Sequence, residues 1–126
     1  MDKKEVRIGN WVYAFKTTYQ IDETDFGGEL IKTFKPLPLT EEWLLKFGYK
    51  KLIQTDFPYF IYFLENDNFD GQFIVRFYRD DIDIAPFSKS PLKGKDVFQS
   101  ISIQYVHQLQ NLYSALTGEE LTLKEI

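Results

Sequence analysis

The chain has no cysteine. That excludes disulfide bonds, thiol catalysis and cysteine-ligated zinc or iron–sulfur centres, and it fits a reducing compartment. No apolar run approaches the ~18 residues of a membrane-spanning helix. Met1, Asp2, Lys3, Lys4 and Glu5 lead into no apolar stretch of signal-peptide type. A cytoplasmic protein without a membrane partner is expected. There is little charge of either excess sign: the net charge is −4. A mildly acidic domain is not built for non-specific phosphate contact, and it falls far short of the dense acidity of a DNA mimic.

Aromatic rings are abundant. Twelve Phe, eight Tyr and two Trp occur in 126 residues. Large rings bury much area each and favour strands, so they point to a sheet-rich, aromatic core. The length fits one domain whose core needs no metal or disulfide.

Alternation marks 6–15 as a strand, with Trp11, Tyr13 and Phe15 on one face and Val12 and Ala14 on the other. Gly9-Asn10 interrupts it as a bulge or bend. Residues 17–21 read as a second strand, 22–28 as a polar turn, and 29–34 as a strand running into Pro36-Leu37-Pro38. The prolines stop the sheet. A short helix near 40–47 follows, capped by Thr40, with Glu41 and Glu42 in its first turn and Trp43, Leu44 and Phe47 on one face. Gly48 closes it. Further strands are expected over 49–55, 59–64, 72–78 and 97–103, while 80–84 is ambiguous. The run 57–64 is apolar at nearly every position, so both of its faces should be covered. Residues 88–95 read as a surface loop.

The strongest periodic signal is a C-terminal amphipathic helix near 104–117, closed by Gly118. On a helical wheel Tyr105, Val106, Leu109, Leu112, Tyr113 and Leu116 fall within an arc of roughly 120°. Its opposite face holds Gln104, His107, Gln108, Gln110, Asn111, Ser114 and Thr117, with no formal charge at neutral His107. Charge depletion is typical of interface cores. Gln104, His107, Gln108, Gln110, Asn111 and Ser114 are therefore the candidate interface. A face covered by the N-terminal sheet would read the same way.

Three blocks carry a resemblance. They are Arg7-Ile8-Gly9-Asn10-Trp11-Val12-Tyr13, the run 36–49 (PLPLTEEWLLKFGY), and the run 105–121 (YVHQLQNLYSALTGEEL). Together they cover about a third of the chain. They resemble a family of small proteins from Bacteroides-type gut bacteria and their phages and prophages, for which no activity is established. The resemblance implies a phage or mobile-element context in a bacterial host cytoplasm, and it carries no catalytic residues over. In that family the opening block looks like the first strand of an SH3-like barrel. Only about 35 residues precede the first helix here, too few for five strands. A partial barrel, or one merged with the later sheet, is the expectation.

Candidate chemistry is sparse. Asn66, Asn68, Asp70 and Gly71 match the start of an EF-hand loop, but its twelfth position would be Phe77, where a bidentate Glu is required. A hairpin loop explains them. Asp80, Asp81 and Asp83 could hold magnesium through water, although acidic turns of this kind are common. His107, the sole histidine, has no nucleophile or orienting motif beside it. Lys89, Lys93 and Lys95 are candidate phosphate contacts, with Lys50 and Lys51 elsewhere.

The expected fold is α+β: an antiparallel sheet of about five to seven strands, the short helix, and the C-terminal helix packed on the sheet. Residues 1–126 form one domain, with 1–38 as a β-rich N-terminal lobe and 39–126 holding the helix, the β-meander and the C-terminal helix. The expected function is a non-enzymatic protein–protein interaction module, working through a protein partner or as a homodimer, with no cofactor or metal. The alternatives are a nucleic-acid-binding accessory domain, or an anti-defence protein that captures a nucleotide signal between aromatic walls.

Overall fold

A computed structural model of the chain describes residues 1, 3–51, 59–65, 72–78, 81–88 and 101–124. It is a mixed α+β protein with two antiparallel sheets. The chain divides into two compact units. One is Met1–Leu39 with Tyr105–Glu120, and the other is Thr40–Gln104 with Leu121–Ile126.

The first unit opens with strands β1 (Trp11–Ala14) and β2 (Thr17–Gln20), paired from Trp11↔Gln20 to Ala14↔Thr17. Phe15 and Lys16 form the two-residue turn between them, at φ 54° and 64°. Positive φ at both central residues is the type I′ geometry, whose twist suits a tight hairpin. On the other side of β1, Tyr13 and Lys35 exchange both backbone hydrogen bonds, at 2.8 and 2.9 Å. No barrel closes among the described residues. Val12 and Ala14 turn inward to meet Val6, Ile21, Ile31 and Phe34, with Met1, Tyr19 and Phe26 packed against them.

The expected strand over 29–34 is instead a 3₁₀ turn, Leu30–Thr33, preceded by a second such turn, Glu23–Gly27. Local bonds explain the outcome. Asp22 and Asp25 form a reciprocal capping box, and Thr33 Oγ1 donates to the Leu30 carbonyl at 2.6 Å. The burial period is three, not two: Ile31 and Phe34 are buried while Leu30 is 58% exposed. A strand would have set Leu30 and Phe34 on the same face.

The second unit begins with α1 (Glu41–Lys46). Thr40 is its N-cap residue, as expected, yet its side chain makes no capping bond. Trp43, Leu44 and Phe47 are all buried. Gly48 takes φ +93°, and a Cβ there would meet the Lys124 side chain at 2.9 Å. The sheet is a meander in the order β3-β4-β5-β6-β7: β3 (Lys50–Lys51), β4 (Tyr59–Glu65), β5 (Gln72–Tyr78), β6 (Asp81–Ser88) and β7 (Ile101–Ser102). The ambiguous stretch after residue 80 thus belongs to a strand. In β4 the successive residues Ile61 and Tyr62 are both buried, as are Phe73, Ile74 and Val75 in β5. Successive strand residues point to opposite faces, so both faces are covered there. Arg76 and Asp83 lie opposite each other on β5 and β6 and form a 3.0 Å ion pair.

The long helix α2 (Val106–Thr117) belongs with the first unit. Gly118 ends it at φ 75°, its N–H donating to the Ser114 carbonyl at 2.9 Å. This left-handed stop is the one the sequence announces. The buried face is rotated from the expected stripe. Val106, His107, Leu109, Gln110 and Tyr113 are buried, whereas Leu116 is 38% exposed.

Candidate interaction surface

Two polar residues on the inner side of α2 bind the chain's opening segment. The Gln110 amide, 1% exposed, accepts from the Trp11 N–H at 2.8 Å and donates to the Gly9 carbonyl at 2.9 Å. It stands in for the peptide group of a neighbouring strand, continuing along β1 the pairing that Lys35 makes at Tyr13. Asn111 Oδ1 accepts from Arg7 Nε at 2.7 Å and from Asn10 Nδ2 at 2.9 Å, while its amide donates to the Glu5 carbonyl at 3.2 Å. Asn10 is fully buried, and its Oδ1 accepts from the Arg7 N–H at 2.7 Å.

Arg7 reaches on to the end of the helix. Its Nη1 pairs with Glu120 at 2.7 Å and its Nη2 donates to the Gln110 carbonyl at 3.3 Å. Ser114 Oγ donates to the same Glu120 carboxylate at 3.4 Å. The hydrogen bond from Arg7 is the main cause holding the Glu120 carboxyl below its ordinary value. Buried amides satisfied in this way give a specific, rigid junction.

The six candidate interface residues therefore separate. Gln110 and His107 are buried, and Asn111 and Ser114 are half-buried and bonded within their own unit. Gln108 and Gln104 are exposed, Gln108 Oε1 accepting from the Tyr105 N–H at 3.1 Å. Much of this face lacks charge because the N-terminal segment of the same unit covers it. Arg7, Asn10 and Glu120 complete the network. Their signal in the sequence was present but local: Asn10 in the Arg7-Ile8-Gly9-Asn10 bend, Glu120 just past the helix stop.

Open apolar surface lies elsewhere in this unit. Ile8, Tyr13, Phe15 and Leu30 are the exposed large hydrophobics of its N-terminal part among the described residues. Phe15 is the most exposed, at 59%, and sits at the hairpin tip. Its ring stands edge-on to Tyr19 at 5.1 Å and to Phe34 at 5.7 Å. Tyr19 is itself fixed, its hydroxyl donating to the Asp25 carboxylate at 3.0 Å. Phe15 was expected on a strand face, and no periodicity signals a left-handed turn at a Phe-Lys pair.

Asn66, Asn68, Asp70, Gly71, Asp80 and the lysines Lys89, Lys93 and Lys95 lie outside the described residues. Asp83 is engaged by Arg76. Lys51 lies 4.8 Å from the Phe60 ring centroid and 3.5 Å from Glu41. Among the described residues no group of three His, Asp or Glu side chains is placed to hold a metal ion.

No family model matches the chain, and neither a curated protein nor a solved structure matches it.

Proposed function

We propose that the protein is a non-enzymatic interaction module of a phage or mobile element, binding a protein partner or a second copy through the β1–β2 hairpin. The observation that carries this reading is Phe15. A bulky ring is held in a left-handed turn and left largely in solvent. That conformation costs roughly 1–2 kcal/mol per residue for Phe15 and Lys16. Such strain at a surface position is a pointer to a functional role. The ring is also pre-oriented by Tyr19 and Phe34, so little side-chain freedom would be lost on docking. Aromatic residues, Phe among them, are enriched at the cores of protein interfaces.

The test pairs light scattering over a wide concentration range with pull-downs from host extract, using wild type and Phe15→Asn/Lys16→Gly. Asparagine and glycine suit the turn, so the variant keeps the hairpin and lacks only the ring. Association or capture that disappears in the folded variant supports the reading. A strictly monomeric wild type that retains no protein, or binding indifferent to the variant, overturns it. The nucleic-acid alternative rests on the lysine loop, Lys89, Lys93 and Lys95, which lies outside the described residues, and on an SH3-like opening, where no barrel closes among the described residues, so no observation favours it.

A further inference from the structure

His107 is 3% exposed, and its Nδ1 has no hydrogen-bond partner. It is the second residue of α2. Its ring stacks on Tyr105, with centroids 5.9 Å apart and planes at 11°. Tyr105 in turn bridges to Pro38, and the Val106 N–H donates to the Leu37 carbonyl at 2.9 Å. These contacts fasten the start of the helix to the segment just before the chain leaves the first unit at Leu39. The imidazole is thus built into the fastening, with its Nδ1 unpaired among the described residues.

We propose that His107 is an acid-sensitive latch: its protonation releases the first turn of α2 from the 37–38 segment.

Three influences bear on the ring. Burial disfavours the imidazolium and is the largest, lowering the histidine below its ordinary 6.5; the Glu5 carboxylate, from the N-terminal segment, partly opposes it. The third is the positive end of the helix dipole, which also disfavours a cation in the first turn. That turn contains no acidic residue to offset it. A buried histidine that is neutral in the folded state and charged in the unfolded one makes stability fall with acid. Because the folded value lies below 6.5, stability is full above that pH and drains away as pH falls from it through the folded value. Carboxylates titrate mostly lower, near 4. With one histidine in the chain, a change between about pH 7 and 5 belongs to this residue.

The experiment follows the single imidazole by proton NMR from about pH 7.5 to 5, alongside melting curves of wild type and His107→Phe over the same range. Hydrogen exchange of the Val106 amide, corrected for its intrinsic pH dependence, locates the release. The expected result is an imidazole titrating below 6.5, a melting temperature that drops several degrees with acid in wild type only, and Val106 protection lost ahead of that in β5. An imidazole titrating at or above 6.5, parallel acid loss in wild type and variant, or unchanged Val106 protection overturns the proposal. Should His107→Phe fail to fold, the wild-type titration and exchange decide alone.

Discussion

Gln110 shows how one side chain can carry a junction. Its carboxamide serves a donor and an acceptor of the backbone, Trp11 N–H and Gly9 C=O. Gln110→Leu fills similar space but removes the acceptor of the Trp11 N–H, while the Gly9 carbonyl keeps a second donor, Gln20 Nε2, at 3.2 Å. An orphaned buried group costs about 1–3 kcal/mol, so a loss of about 1–3 kcal/mol is expected in urea denaturation. A loss under 1 kcal/mol would mean that water replaces the amide. Asn111→Lys makes the complementary point. On a solvated face it would be nearly silent. Here it removes the acceptor shared by Arg7 and Asn10 and sets a cation beside the Arg7 guanidinium. A drop of about 1–3 kcal/mol is expected, and a melting temperature equal to wild type would show that the face is open to solvent. Neither role was legible in the sequence, because a neutral helix face looks alike whether a partner or the chain itself covers it.

Elements differ in how openly they announce themselves. The helix stop at Gly118, the buried trio Trp43, Leu44 and Phe47, and the strands β4 and β5 follow from periods and from glycine chemistry. The segment 29–34 does not, since Thr33 bonds back to the Leu30 carbonyl within it, and the Asp22–Asp25 capping box turns the chain just before it, side-chain bonds that no period encodes. The hairpin turn is the least legible, with Phe-Lys standing where Asn-Gly is the usual pair. Phe15→Asn/Lys16→Gly should relieve about 1–3 kcal/mol of backbone strain. Against this stands the loss of Phe15 contacts with Tyr19 and Phe34, worth about 1–2 kcal/mol. A melting temperature unchanged or raised is therefore expected, the signature of a position shaped by something other than stability. A fall of more than about 2 kcal/mol would instead make Phe15 a structural ring.

At the scale of the whole chain the two units are wired differently. The sheet of the second unit grows by neighbouring antiparallel strands, β4 to β5 to β6, each close in sequence to the next. The first unit joins both parts of the sequence: Gln110 binds Gly9 across 101 residues, and Arg7 binds Glu120 across 113. Closing such long loops must precede the contacts that reward it, so non-local pairings form slowly. Local strand pairs form in microseconds. Pulsed hydrogen exchange during refolding should therefore protect β5 amides such as Val75 before the Trp11 amide, whose acceptor is the Gln110 side chain. Gln110→Leu should leave the early β5 phase unchanged and weaken only the later one. Simultaneous protection of Val75 and Trp11 would mean that the two units fold as one cooperative nucleus. Protection of Trp11 first would place the nucleus in the junction between β1 and α2.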